Sequence, residues 1–254
     1  MKTVAIVQAR SNSTRLPRKI FLPLGTRSVL GHVIVRLQAC ARIDEVIVAT
    51  TDRDCDDAVC EEAVHWNVKI FRGSENDVLA RYYFAAREHQ AKTIVRVTAD
   101  CPLIEPKLID EMIVAFELSK QSPQQIDFFA NSLVKTFQHG LDAEIFTFAA
   151  LDRAFQEATS VRDREHVSPF MRDPKNKFRT HNFASPVDFS THRWTLDTPQ
   201  DYDFLRKIFN ALDRGPVFSA TAVLKFLEQS GLMEQSSIYK PGTRELKSTT
   251  VGKS

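Results

Sequence analysis

Apolar residues recur along the first half of the chain in two alternating rhythms. Short runs at Val4–Val7, Glu45–Thr50 (Glu-Val-Ile-Val-Ala-Thr), Val68–Phe71 and Thr93–Thr98 (Thr-Ile-Val-Arg-Val-Thr) read as buried strands. Between them lie stretches with helical character. Ser28–Arg42 carries Val29, Leu30, Val33, Leu37 and Ala41 at helical spacing, with Ser28 as N-cap. Asp54–Trp66 reads as a second helix. A third runs from the Gly73–Asp77 turn to about His89, capped by Asp77 or Ser74. Pro102 stops the fourth strand, and Pro106 starts another helix at its first turn.

This alternation over roughly the first 120 residues implies an α/β fold: a doubly wound, mostly parallel sheet with helices on both faces. Such sheets bind ligands beyond the carboxyl ends of their strands. Arg10, Asp52, Ser74 and Asp100 each follow a strand, so they should gather along one edge.

Beyond Gln121 the rhythm weakens. Ser122–Gln125 reads as a surface loop, Ile126–Ala130 and Ala143–Phe148 as strands, and Leu151–Ala158 as a helix. Arg162 opens a charged helix ending near Asp173, while Phe178–Phe183 and His192–Leu196 are weaker strand candidates. Asp197-Thr198-Pro199-Gln200-Asp201 spells a strand-to-helix junction, with Thr198 at the N-cap, Pro199 at N1 and Asp201 at N3. Two amphipathic helices, Pro199–Leu212 and Ala220–Gln229, follow.

Composition narrows the class. A chain of 254 residues, 43% hydrophobic and 26% charged, is ordinary for a globular enzyme and long enough to build its core without disulfides. A net charge of +2 is too close to neutral to suggest binding to nucleic acid or a membrane surface. Cys40, Cys55, Cys60 and Cys101 have no zinc-finger spacing, and Cys40 reads as a small buried apolar residue. With no secretory leader or apolar span in the pattern, the expected setting is the cytoplasm, with free thiols.

The chemistry concentrates in Ala9-Arg10-Ser11-Asn12-Ser13-Thr14-Arg15-Leu16-Pro17-Arg18-Lys19, directly after the first strand. Arg10, Arg15 and Lys19 can neutralise a polyphosphate, while the hydroxyls and backbone N–H groups supply short hydrogen bonds. Arg15 and Lys19 are expected to stand exposed until nucleotide binds. Asp100, between a strand and Pro102, suits a Mg²⁺ ligand, because that ion takes one or two carboxylates together with phosphate oxygens and water. Asp197 is the second candidate, since Thr198 already accounts for the helix cap. His139-Gly140 and Asp142-Ala143-Glu144 form either a turn or a substrate contact. Arg162, Arg164, Glu165 and His166 are a solvated helical face, or Arg164 and His166 grip an anionic acceptor. Asp52-Arg53-Asp54 has the Asp-x-Asp form of a metal-dependent glycosyltransferase acting on a nucleotide-sugar, one alternative reading; a non-catalytic nucleotide-binding module is the other.

The Ala9–Lys19 segment resembles the nucleotide loop of 3-deoxy-manno-octulosonate cytidylyltransferases, and the acylneuraminate enzymes share a related version. Asp100-Cys101-Pro102-Leu103-Ile104 is similar to that family's Asp-x-Pro-Leu-Ile stretch, and Asp197-Thr198-Pro199-Gln200-Asp201 to its Asp-Thr-Pro-Glu-Asp. Overall the chain is most similar to the branch named for a spore-coat polysaccharide biosynthesis protein, through Arg72-Gly73-Ser74, Asp77-Val78-Leu79, Arg81-Tyr82-Tyr83, Gly140-Leu141-Asp142 and Arg164-Glu165-His166-Val167. Two features depart from the well-known loops. No glycine follows Arg10, and Arg18 stands where the octulosonate enzyme has glycine.

The resemblance implies a Rossmann-like nucleotidyltransferase that attacks the α-phosphorus of CTP with an acceptor oxygen and releases pyrophosphate. It assigns nucleotide contacts to Ala9, Arg10, Ser13, Arg15, Lys19, Ser74, Asp77 and Arg81. Arg10, Lys19, Asp100 and Asp197 would be catalytic, the last two holding Mg²⁺. His139, Asp142, Glu144, Arg164 and His166 would meet a small anionic sugar-like acceptor. The expected layout is one domain over residues 1–240: a nucleotide-binding half (1–120), an inserted smaller lobe for the acceptor and for homodimer formation (121–198), and C-terminal helices (199–240). A flexible tail (241–254) would follow. The Phe-rich stretch, with Phe128, Phe129, Phe137, Phe146, Phe148, Phe155 and Phe170, motivates the dimer, because aromatics are enriched at interface cores.

Overall fold

The computed structural model describes residues 1–120, 125–215 and 217–236. The expected tail at 241–254 and the loop residues Ser122, Pro123 and Gln124 lie outside the described residues. In chain order the elements are β1 (Thr3–Gln8), a small hairpin β2 (Pro23–Leu24) and β3 (Arg27–Ser28), α1 (Val29–Gln38), β4 (Glu45–Thr51), α2 (Asp57–His65), β5 (Lys69–Gly73), α3 (Val78–Glu88), β6 (Thr93–Thr98) and α4 (Pro106–Ser119). There follow β7 (Phe128–Ala130), β8 (Glu144–Thr147), α5 (Phe148–Glu157), α6 (Val161–His166), α7 (Pro169–Arg172), β9 (Thr180–Asn182), α8 (Pro199–Leu212), α9 (Ala220–Gln229) and α10 (Met233–Ser236).

β1 is a hub because nothing polar interrupts it: Val4, Ala5, Ile6 and Val7 are fully buried. The seven strands lie in the order β5-β4-β1-β6-β8-β7-β9. β4 and β6 flank β1 in parallel, β8 runs antiparallel to β6 and β7, and β9 is parallel to β7. The chain moves outward from β1 to β5, then crosses back to lay β6 on the other side of β1. The strand order therefore reverses between β1 and β6, the place where open α/β sheets form their ligand crevice.

Alternate residues of β1 serve opposite cores, as the two-residue period of a strand requires. Ala5 and Val7 pack with Leu30 of α1, Ile113 of α4, Leu205 of α8 and Leu227 of α9. Val4 and Ile6 pack with Leu79 and Tyr82 of α3 and Leu151 of α5. Full burial of such side chains contributes about 1.5–3 kcal/mol each, so two apolar faces hold β1 in the interior of the sheet.

The caps form as the pattern predicts. Ser28 accepts from the Gly31 N–H at 2.8 Å, and Asp77 from the Ala80 N–H at 2.9 Å. At α8 a reciprocal capping box forms, in which Thr198 accepts from the Asp201 N–H at 3.2 Å and Asp201 accepts from the Thr198 N–H at 2.9 Å. Pro106 and Pro199 both stand in the first turn of their helices.

Two expectations need correction. The helix from Arg162 to about Asp173 is two short helices, because Pro169 lacks the N–H needed to continue the ladder and Val167 turns at φ 68, ψ −59. The Ser168 N–H meets the His166 carbonyl at 2.8 Å across that residue, a rare positive-φ γ-turn. His192–Leu196 is not a strand: apart from one bridge between His139 and Arg193, its backbone is committed to loop partners. The Phe-rich stretch packs on the two cores of the chain. Phe128, Phe129, Phe146 and Phe170 are buried, while Phe137, Phe148 and Phe155 pack against the two cores. The stretch expected as an inserted lobe contributes β7, β8 and β9 to the same sheet. Among the described residues no helix is long and apolar enough to cross a membrane.

Candidate active site

The Arg10–Lys19 loop leaves β1 at the point of strand-order reversal. Its first half is anchored by Asp56, which is 1% exposed. One Asp56 oxygen accepts from the Ser11 N–H at 2.6 Å, and the other accepts from the Thr51 hydroxyl. The Ser11 hydroxyl donates to the Cys55 carbonyl at 2.8 Å. Burial pushes the Asp56 carboxyl up, but these hydrogen bonds outweigh it and hold the group below the ordinary carboxylate range. The loop closes where the Arg18 N–H reaches the Ser11 carbonyl at 3.3 Å, with Arg18 itself left-handed at φ 55, ψ 26. That conformation costs a residue with a side chain roughly 1–2 kcal/mol, a physical reason for glycine at the same place in the similar loop.

The Arg18 turn delivers Lys19 between two carboxylates. Its ammonium lies 2.7 Å from Asp100 Oδ2, 2.9 Å from Asp197 Oδ1 and 2.7 Å from the Leu196 carbonyl. Lys19 was expected to be exposed, yet its side chain is only 14% exposed because of these contacts; Arg15, at 63%, is exposed as expected. Burial lowers the Lys19 pKa, but the charges and hydrogen bonds of Asp100 and Asp197 outweigh it and leave the pKa raised.

Backbone contacts bring the two carboxylates together. The Leu196 N–H and the Thr195 hydroxyl donate to the Asp100 carbonyl at 2.9 and 3.1 Å, tying the segment before α8 to the end of β6. The Thr98 hydroxyl donates to Asp100 Oδ1 at 2.6 Å, which turns Oδ2 toward Lys19. Asp197 Oδ1 also meets Arg15 at 3.0 Å, and Oδ2 meets Arg193 at 3.0 Å. Burial pushes the Asp197 carboxyl up, but Lys19, Arg193 and Arg15 outweigh it and bring it down to about 2. Arg193 is in turn held by a two-point contact with Asp201, at 2.8 and 3.0 Å.

These groups line a cleft of about 720 Å³. Of the residues singled out in the sequence, Ala9, Arg10, Ser13, Arg15, Lys19, Arg81, Asp100, His166 and Asp197 border it. Arg81 is 2% exposed; it donates to the Ser74 carbonyl at 2.7 Å, and its Nε has no hydrogen-bond partner among the described residues. Burial, with Arg10 nearby, lowers its pKa. A buried guanidinium without a carboxylate partner is a ready anion or carbonyl donor.

Other candidates are placed elsewhere. Ser74 accepts from the Asp77 N–H at 3.2 Å, and Asp77 takes the guanidinium of Arg164 at 3.1, 3.0 and 2.5 Å. Arg164 also donates to the Phe155 carbonyl at 2.8 Å, so it clamps α6 to the start of α3 instead of bordering the cleft. Glu144, 6% exposed, pairs with Arg96 at 2.9 Å and accepts from Ser168 at 2.8 Å. His139 and Asp142 meet each other at 3.0 Å, while the His139 carbonyl accepts from the Trp194 N–H at 2.6 Å. His139 thus supports the segment that carries Asp197. Asp52 and Asp54, the alternative metal motif, do not border the cleft.

Sequence reasoning missed Gln8, Asn12, Glu75 and Glu165, which line the cleft, and Asp56, Thr98 and Arg193, which orient its groups. Glu165 lies inside a flagged motif, and Thr98 ends a predicted strand. Nothing local marks Asp56, whose Ser11 partner lies 45 residues away, whereas Arg193 stands only four and eight residues before its partners Asp197 and Asp201.

Residues 4–242 match the cytidylyltransferase family. A spore coat polysaccharide biosynthesis protein of Bacillus subtilis is 28% identical over 232 residues, covering 89% of this chain and 93% of that protein. A 3-deoxy-manno-octulosonate cytidylyltransferase of Geobacter metallireducens is 36% identical over 113 residues, 44% of each chain. The solved structure of a cytidylyltransferase from Leptospira borgpetersenii superposes with a TM-score of 0.87 at 33% identity, covering 95% of this chain and 99% of that one. Strand order, cleft and sequence agree, and the chain belongs to the cytidylyltransferase family of CTP-dependent nucleotidyltransferases.

Proposed function

We propose that the protein transfers CMP from CTP to a small anionic sugar-like acceptor, releasing pyrophosphate, with Mg²⁺ held by Asp100 and Asp197. The observation that carries this reading is the meeting of Arg10, Arg15 and Lys19 with two convergent carboxylates in one cleft at the reversal of strand order. An acceptor oxygen forms a bond to the α-phosphorus while the bond from that phosphorus to the bridging oxygen breaks, and the electron pair leaves with pyrophosphate. Arg10, Arg15 and Lys19 stabilise the negative charge that builds on the departing group. Arg81 binds the nucleotide from the buried wall, with Ala9 and Ser13 beside it on the loop. The Asp56–Ser11 contact keeps the loop in shape, so little ordering is needed at the moment of reaction.

The donor set fits a hard cation. Two carboxylate oxygens converge on the point that the Lys19 ammonium marks, and each carboxylate is oriented by a further hydrogen bond, from Thr98 or from Arg193. Among the described residues no group of three or more His, Cys, Asp or Glu side chains converges, so phosphate oxygens and water would complete the shell. When bound, Mg²⁺ would neutralise and orient the phosphate oxygens.

Glu165 and His166, at the end of α6, border the same cleft and would meet the acceptor. The name of the Bacillus relative supports a role in surface polysaccharide synthesis. The homodimer would use the sheet edge at β9, where Val134 and Val187 are 65% and 55% exposed; light scattering that gives a monomer at micromolar concentration would remove it. The central test incubates the protein with CTP, Mg²⁺ and a broad panel of sugar acids and sugar phosphates. Pyrophosphate should appear with at least one acceptor, and its absence with every member would count against the reading.

A further inference from the structure

Building on the cytidylyltransferase reading, we propose that Lys19 occupies the divalent-cation position in the nucleotide-free protein. The metal therefore enters with the nucleotide and not before it. An ammonium has three N–H donors, and here all three are matched: to Asp100 Oδ2 at 2.7 Å, Asp197 Oδ1 at 2.9 Å and the Leu196 carbonyl at 2.7 Å. None is left for a phosphate while Lys19 stays in place. The carboxylates are equally committed. Asp100 Oδ1 is taken by Thr98, Asp197 Oδ2 by Arg193, and Arg15 adds a second cation to Asp197 Oδ1.

A free divalent ion thus meets two carboxylates already engaged by three cations, Lys19, Arg15 and Arg193, in a half-buried setting, and must expel an ammonium to bind. A triphosphate removes that obstacle. It offers Lys19 and Arg15 new anionic partners of the kind their side chains favour. Their departure uncovers the Asp100 and Asp197 oxygens for the ion. Lys19 then acts twice, as a counter-charge that keeps the two carboxylates together and as a phosphate ligand once nucleotide arrives. This is a coupling of metal to nucleotide through one side chain, and linkage makes it reciprocal.

The test measures Mn²⁺ binding to the nucleotide-free protein from the spin-resonance signal of free Mn²⁺, a hard ion that uses oxygen ligands as Mg²⁺ does. Lys19→Met and Lys19→Gln should each bind Mn²⁺ at least about tenfold more tightly than wild type, a factor within the usual range of coupling. Adding Asp197→Asn to Lys19→Met should abolish the gain. Equal affinity in wild type and both Lys19 variants would overturn the proposal. Should neither variant fold, as judged by circular dichroism, the wild type decides by lysine ¹⁵N NMR. The ordered Lys19 ammonium signal should persist with Mg²⁺ alone and be lost with Mg²⁺ plus CTP; loss with Mg²⁺ alone would overturn the proposal. Retention of radiolabelled CTP by wild type in equilibrium dialysis is scored separately. Failure there removes the CTP reading, whereas the nucleotide-free Mn²⁺ comparison stands or falls without it.

Discussion

Asp56 borders no part of the cleft, yet its loss should reach the phosphate loop. In Asp56→Ala the Ser11 amide, in a residue 5% exposed, loses its acceptor at 2.6 Å, and the buried Thr51 hydroxyl loses its own. A hydrogen bond to a charged group contributes about 1.5–3 kcal/mol, and an unsatisfied buried donor costs about 1–3 kcal/mol. Helix α2 starts at the next residue, so the carboxylate also lies at its positive end, worth about 0.3–1 kcal/mol. These effects overlap, and a net destabilisation of about 3–4 kcal/mol is expected, which for a chain of this size lowers Tm by roughly 6–15 °C. Asp56→Asn keeps the shape and one acceptor oxygen for Ser11, and should cost about 1–2 kcal/mol. Because the native carboxyl lies below its ordinary range, its contribution is present above the unfolded pKa and is lost as pH falls through the depressed native value. Urea unfolding of wild type and both variants measures the loss, and calorimetry with CTP should show weaker binding in step with it. An Asp56→Ala protein within about 0.5 kcal/mol of wild type at unchanged m-value would refute the assignment of Asp56 as the anchor of the loop.

Three further outcomes are expected. Asp100→Asn and Asp197→Asn should each remove most turnover while leaving the circular dichroism spectrum intact, and the double variant should be little worse than either, since one shared site is lost; a fall for Asp100→Asn alone would reduce Asp197 to a junction residue. Asp197 titrates near 2 when folded, below its ordinary 3.8, so it stabilises above that ordinary value and the effect disappears as pH drops toward 2; melting curves of Asp197→Asn should fall less steeply than wild type across that window. Gly140 has φ +114, and a Cβ there would lie 2.6 Å from both the Thr195 nitrogen and the Trp194 carbonyl carbon. Gly140→Ala should therefore cost about 2–4 kcal/mol by thermal denaturation and disturb the segment leading to Asp197; a variant with wild-type Tm would show that the two segments are not pressed together.

Local pattern alone determined most of the scaffold. The β-branched runs, the helical spacing and the caps at Ser28, Asp77 and Thr198 report short-range physics, and α8 and α9 fall on the predicted residues. The candidates Arg10, Arg15, Lys19, Asp100 and Asp197 were also legible, because each lies in a compact motif at the end of an element. Short-range pattern fails where side chains spend themselves on one another. Arg164 and Asp77 look like ligand-binding residues in the sequence, but they satisfy each other once α6 packs on α3. Lys19 looked exposed because its motif is polar; only the meeting of β6 with the segment before α8 supplies the three acceptors that enclose it. The same folding gives Asp56 its role through Ser11 of a distant segment, whereas Arg193 meets Asp197 and Asp201 within its own stretch of chain. Charge and hydrogen-bonding capacity are written residue by residue, whereas whether a group faces ligand or neighbour depends on contacts between distant segments, which tertiary packing alone decided.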